Sequence, residues 1–355
     1  MIEVMSPSDW TRENKMKEAV SFDDVLLVPQ YSDIESRAQV NIGSDLDKNL
    51  KFDLPVISSP MDTITEDKMA MSLHQAGGLG VIHRYNSVSE QASMVEKLRL
   101  QSDTMPIAVA IGATGDYLNR ADTIIKFGAN ILCIDTAHGH HIAMERAIKT
   151  LKDGYGEMVH IMAGNVATLN AFDALSEWGA DSIRIGIGGG SICSTRLVTG
   201  HGVPTLESVL QCAKTRHSTK IIADGGIKTS GDIVKALAAG ADFVMVGSML
   251  AGTEETPGET FHNNTGKKYK VYRGMASSEA QSDWRGRSST PEGVATTVPY
   301  KGEVAPILDN LIGGIRSGFS YSGARSLKEF QIKSKFIRQS TAGQIESSTH
   351  IMRKK

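Results

Sequence analysis

Aromatic residues are scarce in this chain of 355 residues, at 6%. With so few rings, and no stripe of interleaved basic and aromatic residues, a nucleic acid has nothing to stack on. Charge of one sign is lacking too. Lys and Arg number 38 against 40 Asp and Glu, a formal net charge of −2, which gives no field for a polyanion or a membrane surface. Only three cysteines occur (Cys133, Cys193 and Cys212), too few and too scattered for a disulfide framework. No apolar run is long enough to cross a bilayer, and the polar N-terminus has no apolar signal-peptide core. These absences predict a soluble cytoplasmic protein with neither nucleic acid nor membrane as partner.

What the chain does have is a 40% share of hydrophobic residues, enough for a large core. Eight short runs stand out: "PVIS" from Pro55, "GVIH" from Gly80, "IAVAIG" from Ile107, "ILCID" from Ile131, "VHIMAG" from Val159, "SIRIG" from Ser182, "KIIAD" from Lys220 and "FVMVG" from Phe243. Amphipathic segments lie between them, among them "EDKMAMSLHQAGG", "ADTIIKFGAN", "HIAMERAIKTLKDGYG", "LNAFDALSEWGA", "LESVLQCAKTR" and "SGDIVKALAAGA". Strands that alternate with helices make a parallel sheet. Eight such units predict an α/β fold of one class, a single (β/α)8 TIM barrel with its active site at the C-terminal ends of the strands. The competing architecture is an open doubly wound sheet, but no G-x-G-x-x-G follows the first strand.

Chemistry should therefore sit just after each run. Those segments include "SSPMDT" (58–63), "DTAHGHH" (135–141), "GIGGGSICST" (186–195), "DGGI" (224–227) and "GSMLAG" (247–252). The last two follow strands seven and eight, where such barrels commonly bind phosphate, and their glycines let backbone N–H groups approach phosphate oxygens. The lone Cys193 follows a glycine-rich turn, which by itself leaves a nucleophile and a small apolar residue equally open. Cys133, inside a strand, and Cys212, on a helix, read as buried small residues. "HGHH" (138–141) raises zinc, but histidines adjacent on one short loop rarely converge, and no further ligand is evident.

Longer motifs go further. "SFDDVLLVPQYSDIESR" (21–37), "SSPMDTITE" (58–66), "GGLGVIHR" (77–84), "GIGGGSICSTR" (186–196), "ADGGIKTSGDIVKALAAGAD" (223–242), "YRGMAS" (272–277) and "VPYKG" (298–302) occur in order. On these the chain resembles the IMP dehydrogenase / GMP reductase family over nearly its whole length. The resemblance implies an N-terminal tail (1–20), a barrel (21–335) with catalytic loop 186–202 and flap 276–292, and a C-terminal tail (336–355). It also implies a purine nucleotide (GMP or IMP) as substrate, a nicotinamide cofactor and a homotetramer. The family's dehydrogenases usually carry a CBS module between the second and third strands. The interval 85–106 is too short for one, so none is expected.

Residue by residue, the resemblance makes Cys193 the nucleophile at purine C2, with Thr195 and Glu292 as the proton relay of the reductases. It assigns phosphate to Ser191, Gly226, Gly247, Ser248 and Tyr272, and the ribose hydroxyls to Asp224. Ser59, Met61, Gly274, Met275 and Glu292 are assigned to the ribose and base. Asp135, Thr136, Ala137, Asn165 and Gly188 match the nicotinamide side. The carbonyls of Gly188, Gly190 and Cys193 match the potassium ring of the dehydrogenases. The flap favours the reductase with NADPH: it is short, and lacks the Arg-Tyr pair of the hydrolytic enzymes. "YRGMAS", "TEETPGE" and the tail "GQIESSTH" (343–350) keep the alternative open, a CBS-less IMP dehydrogenase using NAD, in which Arg285 and Arg287 of "DWRGR" stand in for the missing base.

Overall fold

The computed structural model describes residues 18–347. Eight parallel strands close a barrel: β1 (Val56–Ser58), β2 (Leu79–Ile82), β3 (Ala108–Ile111), β4 (Ile131–Asp135), β5 (His160–Val166), β6 (Ser182–Ile185), β7 (Lys220–Asp224) and β8 (Phe243–Val246). Closure is made by β8 against β1, with Val244 opposite Val56 and Val246 opposite Ser58. The predicted runs match these strands to within two residues. Such strands are covered on both faces, so they read as continuous apolar runs that turn residues delimit.

The outer helices are α1 (Asp67–Gln75), α2 (Val88–Gln101), α3 (Tyr117–Lys126), α4 (Ile142–Tyr155), α5 (Leu169–Trp178), α6 (Thr205–Cys212), α7 (Ser230–Ala238) and α8 (Ala305–Tyr321). Two differ from expectation. α3 begins four residues early, because Tyr117 packs against the core and Arg120 is buried on the same helix. α6 stops at Cys212, because the polar residues after it have no apolar face to bury. The interval expected to be too short for a CBS module holds α2, with a Ser87/Glu90 capping box, and its connections. Among the described residues no helix is long and apolar enough to cross a membrane.

The two ends of the barrel are finished differently. At the N-terminal end a short hairpin, Ser44–Asp45 paired with Lys51–Phe52, puts Leu46, Leu50 and Phe52 into one cluster with Ile57, Ile131, Ile222 and Phe243 of the strands. Phe52 meets Phe243 edge to face at 5.7 Å. At the other end a three-stranded antiparallel sheet (Phe261–His262, Lys268–Arg273, Ala295–Pro299) stands after β8. The flap joins its second and third strands and carries an unpredicted helix, Ser278–Arg285, capped by Ser277.

The predicted boundary at 335 needs correction. Phe336–Arg338 pairs antiparallel with Val25–Leu27, and a helix follows at Thr341–Glu346, so the "tail" begins as part of the fold. Backbone pairing supplies what its exposed side chains do not advertise. Most of the predicted N-terminal tail (1–17), and the last residues of "GQIESSTH", lie outside the described residues.

Candidate active site

β6 and β7 leave the barrel side by side. Gly186 has φ +148°, and a Cβ there would stand 1.8 Å from the Asp224 carbonyl oxygen, so only glycine lets the chain pass. The loop then runs to Cys193 and the short helix Thr195–Thr199. Along this stretch lies the end of the flap. The Ser194 N–H donates to the Glu292 carbonyl at 2.9 Å, and the Val294 N–H to the Ile192 carbonyl at 3.0 Å, pairing Cys193 with Gly293.

That ribbon assembles three side chains from segments about a hundred residues apart. The Cys193 thiol donates to Thr195 Oγ1 at 3.2 Å, and the Thr195 hydroxyl donates to Glu292 Oε2 at 2.8 Å. The helix after Cys193 has five residues and a correspondingly small dipole to set against the sulfur. The threonine is the partner the fold provides. Cys133 and Cys212 are fully buried, and burial pushes their thiols up to about 11 and about 12, out of reach of ionisation.

Under the cavity lies a polar floor. Arg184, 6% exposed, donates to Asp135 Oδ1 at 2.6 Å and to Asp224 Oδ2 at 2.9 Å. Asn165 donates to the same Asp224 oxygen at 2.8 Å and to the Gly186 carbonyl at 2.8 Å. Burial pushes the Asp135 carboxyl up, but the Arg184 and Arg84 guanidinium groups outweigh it, and the group lies below its ordinary range. Asn165 Oδ1 is buried without a hydrogen-bond partner.

All the predicted site residues line one cavity of about 750 Å³. Cys193, Thr195 and Glu292 form one wall. Ser59, Met61, Gly274 and Met275 lie over β1 and the start of the flap, and Ser191, Asp224, Gly226, Gly247, Ser248 and Tyr272 gather around the exits of β6, β7 and β8. Tyr272 Oη is 3.3 Å from Ser191 Oγ. A Cβ at Gly247 would come within 3.4 Å of both Met61 Sδ and Ser59 Oγ, so this corner is tightly shaped. Met275 also has a structural task, its sulfur accepting the Asp62 N–H at 3.3 Å. Asp135, Thr136, Ala137, Asn165, Gly188 and Gly190 line the same cavity. In "HGHH" His141 caps α4, its Nδ1 accepting from the Ala143 N–H, and among the described residues no group of three or more His, Cys, Asp or Glu is placed to hold a metal ion.

Sequence reasoning missed Arg184, Arg84, Tyr85, Arg120 and Trp284, all of which line the cavity. Arg184 left a trace, a charge in the middle of an otherwise apolar strand, and such residues are rarely buried unless paired. Trp284 left none, because its partner Tyr85 lies about two hundred residues away in sequence.

A (β/α)8 barrel whose strand ends surround a hydrogen-bonded cysteine and a polar floor has the architecture of an enzyme. The chain belongs to the IMP dehydrogenase / GMP reductase family, a family of oxidoreductases in purine metabolism whose domain model matches residues 19–350. It is 33% identical to inosine-5′-monophosphate dehydrogenase of Nitrosopumilus maritimus, over 95% of this chain and 99% of the relative. It is also 33% identical to GMP reductase of Leishmania major, over 94% and 97%. A crystal structure of GMP reductase from Trypanosoma brucei, in complex with guanosine 5′-monophosphate, superposes with a TM-score of 0.90 at 31% identity, covering 97% of this chain and 99% of that one.

Proposed function

We propose that the protein is a GMP reductase, converting GMP, NADPH and a proton to IMP, NADP⁺ and ammonia. The Cys193–Thr195–Glu292 hydrogen-bond chain carries this reading. Its polarity suits the chemistry. The thiol proton can pass through the Thr195 hydroxyl to Glu292, leaving a thiolate to add at purine C2. The same pair then returns that proton to the departing 2-amino group, which leaves as ammonia while sulfur stays bound to C2. NADPH, when bound, supplies the hydride that takes the place of the sulfur at C2. The thiolate is released as C2=N reforms, and it recovers a proton from solvent.

The residues present fit such a cofactor. The buried, unpartnered Asn165 Oδ1 is an acceptor suited to the N–H₂ of a carboxamide. Asp135, Thr136, Ala137 and Gly188 would hold the nicotinamide half beside it. Asp224 would take the ribose hydroxyls of the nucleotide, and Ser191, Gly226, Gly247, Ser248 and Tyr272 its phosphate. We extend the proposal to a potassium ion on the carbonyls of Gly188, Gly190 and Cys193. The Gly190 carbonyl accepts one bond from the Cys193 N–H at 3.1 Å and keeps a second lone pair.

The deciding assay sets GMP with NADPH against IMP with NAD⁺. Consumption of NADPH with release of IMP and ammonia is expected, and formation of XMP and NADH alone would overturn the reading. One observation favours the dehydrogenase alternative: Arg285 lines the cavity, whereas Arg287 does not. Yet Arg285 lies near Tyr85, where with Arg84 it opposes the rise that burial imposes on the phenol. If Arg285 were the hydrolytic base, replacing it would abolish XMP formation.

A further inference from the structure

The returning limb of the flap has little of its own to hold it. Segment 287–291 forms no helix or strand, and its residues are all exposed. Among the described residues, its only hydrogen bonds to the rest of the chain come from Ser289. Both end on one side chain. Gln281 Oε1 accepts from the Ser289 N–H at 2.9 Å and from the Ser289 hydroxyl at 3.1 Å, while Gln281 Nε2 donates to the Ala276 carbonyl at 3.0 Å. Gln281 is 5% exposed, the one polar side chain that the flap helix buries. A buried amide is costly unless its carbonyl and its N–H₂ both find partners, and here both do.

The groups that Gln281 joins lie at the two ends of the flap, beside the proton path. The Ala276 carbonyl is shared, for it also accepts the Glu292 N–H at 3.0 Å. Ser289 stands three residues before Glu292, and Pro291 between them has no N–H to donate. The helix that bears Gln281 is itself anchored. Ser277 caps it, Asp283 pairs with Arg273, and Trp284 stacks on Tyr85 with ring centroids 5.7 Å apart. We propose that Gln281 is a positioning residue for Glu292, a splint that passes the fixed position of the helix to the limb carrying the carboxylate. This rests on the reading that Glu292 acts in turnover behind Thr195. The bond between those two is 2.8 Å, and a reacting contact displaced by about 1 Å can lose about a hundredfold in rate.

The test is a double-mutant cycle on the full-length protein, with kcat and KM measured for GMP with NADPH and for IMP with NAD⁺. Gln281→Met keeps the bulk of the side chain and removes all three bonds. It should lower kcat about tenfold and leave the KM for the nucleotide within about twofold. In a Glu292→Gln background the same change should cost less than about twofold, because the group it positions is already gone. Ser289→Ala, at an exposed position where folding is not at stake, removes one bond and should lower kcat about threefold, again only when Glu292 is present. Equal losses in the two backgrounds overturn the proposal, and so does a wild-type kcat in both variants. If the wild type reduces GMP while the losses multiply, the splint falls and the reductase stands. If only IMP is turned over while the losses still depend on Glu292, the reductase falls and the splint stands.

Discussion

At the scale of the residue, Cys193, Thr195 and Glu292 lie on one hydrogen-bond chain, and under the proposed function its two ends have distinct expected phenotypes. Cys193→Ala should abolish turnover, measured as NADPH consumption, while nucleotide binding by calorimetry stays close to wild type. Glu292→Gln keeps the shape of the site and removes the base, so kcat should fall roughly 10²-fold or more with little change in the KM for GMP. If kcat is unchanged, the hydrogen bond from Thr195 to Glu292 is structural only. Arg184 acts differently, bridging Asp135 and Asp224. Arg184→Met leaves Asp224 without its guanidinium and Asp135 with Arg84 alone, and should cost about 3 kcal/mol of stability, read by chemical denaturation. The cysteine was legible because the glycine-rich turn around it belongs to a long motif. Arg184 was legible only as an anomaly, since nothing local says which carboxylates a strand-borne charge will meet.

At the scale of the element, the hairpin closing the bottom of the barrel is held by polar contacts as well as apolar ones. His160 of β5 meets Asp47 Oδ2 at 2.8 Å and Ser182 Oγ at 2.9 Å. The hydrogen bond with His160 outweighs burial and lowers the Asp47 carboxyl from 3.8 to about 2. A folded value below the unfolded one means this group stabilises the fold above about pH 4, with the contribution lost as pH falls toward 2. Asp47 is about a third exposed, which brings the expected contribution to about 1–2 kcal/mol. Asp47→Asn should flatten the acid limb of the stability curve by that amount, and an identical pH profile in both proteins would refute the assignment. The serine, histidine and aspartate here have the order of a hydrolytic triad, but Ser182 is completely buried at the end away from the cavity. The flap illustrates the opposite case: its helix has a capping serine and two apolar or aromatic residues, Ala280 and Trp284, too weak a pattern to stand out beside the strands.

At the scale of the whole molecule, the barrel separates stability from chemistry. Hairpin and apolar interior occupy the N-terminal end, and the loops at the other end are free to carry function. Binding at that end should still raise global stability by linkage, about 2.7 kcal/mol for GMP at a hundred times its Kd, visible as a rise in Tm. No such rise with GMP or IMP would remove the purine site. We also propose a homotetramer, with Leu197 at 89% and Ile332 at 76% exposed as apolar surface left bare by the single chain. Sedimentation should then give a species four times 38.2 kDa, and a monomer would refute it.

The sequence by itself determined the barrel, because eight apolar runs separated by amphipathic helices have one good way to bury both kinds of surface. It also determined which loops carry chemistry, because strand direction fixes the end at which they emerge. Only the tertiary structure decided which residues meet. Glu292 reaches Thr195, Trp284 reaches Tyr85 and Arg184 reaches two aspartates through closure of the barrel and folding of the flap. Those contacts join segments from about forty to two hundred residues apart, over which local sequence carries no information about distance.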